Sequence, residues 1–192
     1  KFVATTMREI ARDSSVYDLK SVTIVEIMGR HAGWLAASSA VLHALGEDAP
    51  HLVYLPECDF SIIRFLTDIT KKLEETDTVI VAVSEGVRIK GADYMSEKKD
   101  NFGHAYLSGI GKYLEDIVSK ETGCKVRSIE LNVLQRSASH INSLTDIDEA
   151  EAIGAEAVKT ALSGETGKMM CFKRISNNPY TLEFCTADAI LV

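Results

Sequence analysis

The stretch "SVTIVEIMGRHAGW", residues 21–34, runs from a β-branched apolar segment into a polar turn that holds Gly29, Arg30 and Gly33. Continuous β-branched runs are typical of strands that are covered on both faces. The runs "HLVYL" at 51–55 and "TVIVAV" at 78–83 follow the same pattern. Helical patterns separate the three runs, which predicts right-handed βαβ units. The expected fold class is therefore α/β, Rossmann-like, with a mainly parallel sheet sandwiched between helices.

The remaining elements follow from the spacing of apolar residues and from helix-capping residues. Helices are predicted over the first eleven residues, from Gly33 to a stop at Gly46, after an N-cap at Asp59 or Ser61, within 107–123, and over about 146–162. "KVRSIEL" at 125–131 predicts a further strand. "KMMCFKRISNNPYTLEFCTA", residues 168–187, predicts a C-terminal β-hairpin with its turn at 177–179. The polar stretch 86–106 is predicted to be a surface loop.

Composition and net charge limit the classes of protein to which this chain can belong. With 46% hydrophobic and 26% charged residues, the 192-residue chain is expected to be a single domain, 1–192. Lys1 lies on a helical pattern already under way, and the last residues, "TADAILV", are apolar, so we expect an excised segment of a longer chain. No apolar run approaches 18 residues and no leader is present, so we expect no membrane partner and a cytoplasmic location. The net charge of −7 argues against a nucleic-acid partner.

Candidate ligand residues follow the strands, because ligands of open parallel sheets collect at the carboxyl ends of the strands. One strand leads to Met28, Gly29 and Arg30, and another leads to Ser84, Glu85 and Gly86. Glycines let a ligand approach the main chain, arginines bind phosphate through several donors, and a glutamate accepts hydrogen bonds from sugar hydroxyls. The stretch "VRSIELNVLQR" at 126–136 adds Arg127, Gln135 and Arg136.

The other notable polar and aromatic residues are expected to have structural or surface positions, not catalytic or metal-binding roles. His31 and His104 have no second ligand at metal-binding spacing, so packing or surface positions are expected and no metal site is predicted. Trp34 is expected in the core. Ser137, Ser139 and His140 lack the strand-turn setting of a nucleophile elbow, which argues against hydrolase chemistry. Four cysteines without a C-x-x-C pair are expected to be free thiols.

Four motifs together resemble the phosphofructokinase family. They are "VEIMGRHAGWLA" at 25–36, "LPE" at 55–57, "VAVSEG" at 81–86 and "VRSIELNVLQR" at 126–136, so the resemblance covers nearly the whole chain. Within the family, the overall amino-acid sequence is more similar to the pyrophosphate-dependent branch than to the ATP-dependent branch. The resemblance implies the acceptor half of a 6-phosphofructokinase, which transfers a phosphoryl group to O1 of fructose 6-phosphate and gives fructose 1,6-bisphosphate in glycolysis.

The resemblance also implies roles for individual residues. Met28, Gly29 and Arg30 would form the wall of the sugar-phosphate site, with Arg30 facing the phosphoryl group in transit. Glu85 would bind sugar hydroxyls. Arg136 would hold the 6-phosphate with Gln135 beside it, and Arg127 would reach in from a neighbouring subunit of a homo-oligomer. If the segment stays extended, Arg127 and Arg136 lie nearly 30 Å apart at roughly 3.3 Å per residue, too far to share one phosphate within a subunit.

The sequence departs from the family pattern at several positions. Val133 stands where the family has a histidine or tyrosine, and Ser137 and Ala138 replace two glycines. A phosphate-binding arginine of ATP-dependent members corresponds to Ser21, whose basic neighbour is Lys20. The G-G-D motif for donor phosphates and Mg²⁺, and the T-I-D-N-D-like motif that supplies the catalytic base, do not occur in residues 1–192. Both would precede Lys1, so the segment alone is expected to be inactive, with Mg²⁺ bound by the absent upstream domain.

Alternative functions remain open at this point. They are an ATP-dependent 6-phosphofructokinase, a non-catalytic sugar-phosphate-binding module, and a P-loop sugar kinase. No G-x-x-x-x-G-K-[ST] motif occurs in the chain, which counts against the last of these.

Overall fold

The computed structural model describes residues 1–89 and 109–190, in two compact units whose boundary lies between Ser139 and His140. His104, Leu107 and most of the predicted 86–106 loop lie outside the described residues. The single domain over 1–192 stays a prediction, and the two units are treated separately below.

The first unit alternates helices and strands, as the sequence predicts. Its elements are α1 (Phe2–Ser14), β1 (Ser21–Ile27), α2 (Trp34–Ala37), α3 (Val41–Ala44), β2 (Leu52–Tyr54), α4 (Ile62–Glu75), β3 (Thr78–Ser84), α5 (Ile110–Thr122), β4 (Lys125–Glu130) and α6 (Asn132–Ser137). Ser61 is the N-cap of α4, and its Oγ accepts a hydrogen bond from the Arg64 N–H at 3.5 Å. Of the two caps considered, the structure selects Ser61.

The sheet of the first unit is parallel and has the strand order β2-β3-β1-β4. Every residue of β1 is buried, which explains why β-branched residues predominate in it. Helices α4 and α5 cover one face through Phe65, Ile69 and Leu114. Val3 and Met7 of α1 and Leu42 of α3 cover the other face. The predicted parallel sheet between helices is therefore confirmed.

The predicted helix from Gly33 to Gly46 is broken into α2, a 3-10 turn at Ser38–Ala40, and α3. The hydroxyls of Ser38 and Ser39 donate to the carbonyls of Leu35 and Ala36 at 2.7 and 2.6 Å. Serine side chains that bond to the nearby backbone compete with the regular helical pattern, which accounts for the break.

The prediction that Trp34 lies in the core is wrong, because the residue is 83% exposed. In this broken helical segment the buried positions are Ala36, Ser39 and Leu42. These three face the sheet, so the first residue of α2 turns away from it. Small residues, not the large aromatic one, allow the segment to pack closely.

The second unit contains α7 (Leu144–Leu162) and an antiparallel hairpin of β5 (Lys168–Asn177) and β6 (Tyr180–Asp188). The turn lies at 178–179, so the predicted C-terminal hairpin is confirmed. Phe172 and Phe184 pair across the hairpin with ring centroids 5.7 Å apart. None of the described residues of α7, β5 or β6 is buried.

Candidate functional site

The ends of β1 and β3 lie side by side. In the parallel register, Ile27 is opposite Ser84, so the residues that follow the two strands meet at one edge of the sheet. The Glu85 N–H donates to the Ile27 carbonyl at 2.9 Å and extends this pairing by one step. The structure therefore brings together Met28, Gly29 and Arg30 with Glu85, as the sequence predicts for a strand-end site.

The Glu85 carboxylate holds the turn that follows β1. Its Oε1 accepts hydrogen bonds from the Gly29 N–H at 3.0 Å and the Arg30 N–H at 2.9 Å. Glu85 is half-buried, and both bonds use the same oxygen. Neither of these two bonds uses the second oxygen, Oε2.

Arg30 has a left-handed backbone conformation with φ of 49°. Such a conformation is uncommon for a residue other than glycine, and it persists only where the surroundings impose it. The hydrogen bond from its N–H to Glu85 supplies one constraint. Gly86 supplies another, because a Cβ at Gly86 would lie 1.5 Å from the Arg30 carbonyl oxygen. Close approach of two backbone segments is therefore the reason for the glycine at 86.

Gly29 is required by the turn itself. The Ala32 N–H donates to the Gly29 carbonyl at 3.0 Å, and a Cβ at Gly29 would lie 2.6 Å from the Ala32 carbonyl oxygen. The glycine at the end of β1 thus permits a tight turn that also leaves its main chain accessible to a ligand.

Gln135 clamps the main chain of Met28. Its Oε1 accepts from the Met28 N–H at 3.0 Å, and its Nε2 donates to the Met28 carbonyl at 3.2 Å. Both ends of the side-chain amide are therefore used to position the end of β1. Arg136, the next residue of α6, is exposed and forms no ion pair with any residue in 1–89 or 109–190.

Arg127 lies away from this edge. In the register of β1 and β4 it is opposite Thr23, five residues before Met28, which corresponds to roughly 16 Å along the strand. Its guanidinium is 3.5 Å from the Asp13 carboxylate, in a pair that is largely exposed. The structure does not bring Arg127 to the site formed by its own chain.

The segment between Arg127 and Arg136 does not stay extended. β4 ends at Glu130 and α6 begins at Asn132, so about half of the segment is helical. A helix rises about 1.5 Å per residue, less than half of the rise of a strand, so the two arginines are much closer than an extended chain would place them.

Glu57 and Ser84 also position the main chain, in roles that the sequence analysis did not predict. The Glu57 carboxylate of the "LPE" motif accepts from the Gly33 N–H at 2.7 Å and so fixes the start of α2. The buried hydroxyl of Ser84 accepts from the Gly86 N–H at 3.3 Å. For Glu57 the available signal was a carboxylate directly after a proline, three residues beyond the end of β2, whereas the sequence carries no signal for the hydrogen bond made by Ser84.

Glu26 is a buried carboxylate within β1. It accepts hydrogen bonds from the Gly111 N–H at 2.8 Å and the Gly109 N–H at 3.2 Å, at the start of α5. Burial raises the pKa of Glu26 to about 7, and the carboxylates of Glu130 and Glu85 add to this, although the two N–H donors act in the opposite direction. Glu26 therefore ties α5 to the strand that leads to Met28.

Within 1–89 and 109–190, no three or more histidine, cysteine, aspartate or glutamate residues are arranged to hold a metal ion. In the same ranges no helix combines the length and apolar character needed to cross a membrane.

Comparison with known proteins identifies the family to which the chain belongs. The family model described as "Phosphofructokinase" matches residues 1–161, and the chain belongs to the phosphofructokinase family. The family resemblance inferred from the four motifs is therefore confirmed, and the P-loop sugar kinase is set aside.

Particular relatives refine the comparison. A pyrophosphate--fructose 6-phosphate 1-phosphotransferase from Halomonas elongata is 36% identical over 184 residues, 94% of this chain. A sulfofructose kinase from Alkalicoccus urumqiensis is 30% identical over 185 residues, 95% of this chain. The crystal structure of a pyrophosphate-dependent phosphofructokinase from Nitrosospira multiformis superposes with a TM-score of 0.79 at 29% identity and covers the whole chain. The chain spans 44%, 48% and 45% of these three proteins, respectively.

Proposed function

We propose that this chain is the acceptor half of a pyrophosphate-dependent 6-phosphofructokinase. The full-length protein would transfer a phosphoryl group from pyrophosphate to O1 of fructose 6-phosphate and release fructose 1,6-bisphosphate in glycolysis. The observation that carries the proposal is the strained Arg30 turn, which Glu85 and Gly86 hold at the edge of a parallel sheet. The pyrophosphate-dependent relatives support the choice of donor.

Each residue at the edge has a part in this proposal. Glu85 Oε2 accepts hydrogen bonds from sugar hydroxyls, while Oε1 keeps the turn in place. The exposed guanidinium of Arg136 binds the 6-phosphate, since planar guanidinium groups make paired, charge-assisted hydrogen bonds to phosphate. Gln135 acts through Met28, whose main chain it fixes against the sugar.

Arg30 is the proposed catalytic residue. The phosphoryl group spreads negative charge over its oxygens as it moves between donor and acceptor. A cation held in advance at that position stabilises the transition state without reorganisation. The left-handed turn is what fixes the position of Arg30, so Glu85 and Gly86 contribute to catalysis indirectly.

We do not propose that the residues of this chain bind the phosphoryl donor. The described residues form no carboxylate cluster that fits Mg²⁺, and no step is assigned here to the metal or to a base. We propose that the half of the protein that is not in this chain binds Mg²⁺ and pyrophosphate and accepts the proton of the O1 hydroxyl.

We also propose a homo-oligomer in which Arg127 serves a neighbouring subunit's site. Its distance of roughly 16 Å from Met28 along the sheet supports this, because an arginine side chain cannot span that gap. Exposed ion pairs contribute little, so the pair with Asp13 is easily exchanged for a phosphate. A cytoplasmic location completes the proposal.

The test is a steady-state assay of the full-length protein that carries this chain. Fructose 6-phosphate and sulfofructose are each supplied with pyrophosphate or with ATP, and kcat/KM is compared. The proposal expects the highest value for fructose 6-phosphate with pyrophosphate. A large advantage for ATP would establish the ATP-dependent enzyme, an advantage for sulfofructose would change the acceptor, and sugar-phosphate binding without turnover would establish a binding module.

A further inference from the structure

Two cysteines face each other across the hairpin of the second unit. Cys171 of β5 and Cys185 of β6 are register partners, although thirteen residues separate them in sequence. Residues directly opposite in an antiparallel pair project from the same face of the sheet. The fold therefore creates a pair of thiols that the cysteine spacing does not indicate.

The backbone already has the separation that a disulfide requires. Opposite residues of an antiparallel pair have Cα atoms about 4.5–5.5 Å apart, and disulfides form at Cα separations of about 4.4–6.8 Å. The Cys185 thiol donates to the Cys171 carbonyl at 3.7 Å, and the Cys171 thiol donates to the Met169 carbonyl at 3.8 Å. Thiols are weak donors, so rotation about χ1 can exchange these contacts for a sulfur–sulfur bond.

We propose that Cys171 and Cys185 form a redox modification site, at which a small-molecule disulfide such as oxidised glutathione installs a reversible cross-strand disulfide. The proposal concerns the hairpin alone and does not depend on the phosphofructokinase reaction. Reversible disulfides in cytosolic proteins are typically of this redox-sensing kind.

The reaction proceeds by two thiol–disulfide exchanges. The Cys185 thiolate attacks one sulfur of oxidised glutathione, forms a mixed disulfide and releases one glutathione thiolate. The Cys171 thiolate then attacks the Cys185 sulfur, which forms the cross-strand bond and releases the second glutathione. The two protons of the protein thiols end on the two glutathione molecules, so two cysteines are oxidised and one oxidised glutathione is reduced.

Exposure sets the order of the two steps. Cys185 is exposed and Cys171 is half-buried, so the reagent reaches Cys185 first and Cys171 resolves the mixed disulfide. Cys58 is also exposed but lies in the other unit, after β2 and outside the strands of the described residues, so no strand register pairs it with a cysteine there. Cys58 is therefore the internal control for a thiol that can be glutathionylated but not resolved.

The disulfide between Cys171 and Cys185 would cross-link a unit that has little other stabilisation. A two-stranded sheet by itself is marginally stable in water, and none of the described residues of α7, β5 or β6 is buried. A covalent link between Cys171 and Cys185 keeps the strands in register beside the Phe172–Phe184 pair. We expect the oxidised hairpin to resist proteolysis in its strands longer than the reduced hairpin.

The experiment incubates the complete 192-residue chain with a glutathione redox buffer, blocks the remaining thiols with N-ethylmaleimide and maps the peptides by mass spectrometry. The expected product is a monomer that is lighter by two hydrogen atoms before blocking, with the Cys171 and Cys185 peptides linked to each other. Excess reduced glutathione should return both thiols. Cys58 should carry only glutathione or the blocking group.

Two single variants make the test decisive. Cys171→Ser should lose the cross-link and accumulate the mixed disulfide at Cys185, whereas Cys185→Ser should lose the cross-link and react more slowly. Cys124→Ser is the matched control and should form the cross-link as the wild type does. The proposal is overturned if the wild type accumulates mixed disulfides at Cys171 and Cys185 as Cys58 does, or if the cross-links join different chains.

Discussion

At the scale of single residues, Arg30 is the position at which backbone strain and proposed chemistry coincide. Its left-handed φ is constrained by Glu85 and Gly86, which directly follow β3. We expect Arg30→Ala in the full-length protein to lower kcat by about 10²-fold or more, and to change the KM for fructose 6-phosphate far less, because the cation acts mainly in the transition state. Steady-state kinetics with both substrates varied will measure the two effects.

Arg64→Ala is the control for the Arg30 variant, since Arg64 is exposed on α4 and should leave both constants unchanged. An Arg30→Ala enzyme with normal kcat and only a raised KM would show that Arg30 binds the ground state. The catalytic role would then pass to another group.

Glu26 allows a prediction about pH. Because its pKa is raised from 4.5 to about 7 in the folded protein, the folded state binds more protons than the unfolded state between these values. Its contribution to stability is therefore complete below about pH 4.5 and is lost as the pH rises towards 7. The expected loss is about 1–3 kcal/mol. Burial lowers the pKa of His51, which acts in the opposite direction within the same range.

The comparison of wild type with Glu26→Gln isolates the contribution of Glu26. The amide can still accept from one glycine N–H, but it does not titrate, so this part of the pH dependence should disappear. Glu74→Gln, at an exposed position of α4, should keep the wild-type profile. Urea unfolding of the 192-residue chain at several pH values gives the free energies. Parallel profiles for wild type and Glu26→Gln would contradict the raised pKa.

At the scale of elements, the turns after β1 and β3 depend on one another. Gly86→Ala would place a Cβ 1.5 Å from the Arg30 carbonyl oxygen, so the two turns must separate. We expect Gly86→Ala to lower the activity of the full-length protein at least as much as Arg30→Ala, and to reduce its stability. Thermal unfolding and kinetics of the same preparation will report both effects.

Gly154→Ala in α7 is the matched control for this substitution. A Cβ at Gly154 would meet nothing within 4 Å, and alanine favours a helix over glycine by roughly 0.5–1 kcal/mol. This variant should be as stable as the wild type or more stable. If Gly86→Ala behaved in the same way, the close approach of the two turns would not be required.

The elements show how far sequence reasoning reaches. The strands at 21–27 and 78–84 were predictable because burial on both faces favours β-branched and apolar residues over most of their length, although β1 also contains the buried Glu26. The meeting of Glu85 with Gly29 and Arg30 followed from the rule that parallel strands end at one edge. The exposure of Trp34 was not predictable, because it depends on how the helix packs on the sheet. The break, in contrast, had a local signal in Ser38 and Ser39, whose hydroxyls bond to the nearby backbone.

Contacts between residues that are far apart in the sequence were also not predictable from the sequence. Gln135 was singled out by motif, but its clamp on Met28 joins residues 107 positions apart and depends on the path of α6. The same holds for the pairing of Cys171 with Cys185, which only the hairpin register defines.

At the scale of the whole molecule, the shared-site proposal can be tested by mixing two inactive full-length variants. Arg127→Ala removes the contribution to the neighbour's site, and Glu85→Ala disables the site of its own chain. In a hybrid, one site receives both defects and another receives neither, so partial activity should return. Mass spectrometry must first show that the two variants exchange subunits and form hybrids. Hybrids that form but stay inactive would place Arg127 in its own chain's site.

The central claim is that this chain holds the acceptor and not the donor, and the KM values of Arg136→Ala in the full-length protein test it most directly. Loss of a hydrogen bond between charged groups costs about 1.5–3 kcal/mol, so the KM for fructose 6-phosphate should rise by roughly tenfold to a hundredfold. The KM for pyrophosphate should stay within about twofold of the wild type, because no donor contact is removed. A raised KM for pyrophosphate with an unchanged KM for fructose 6-phosphate would contradict the claim.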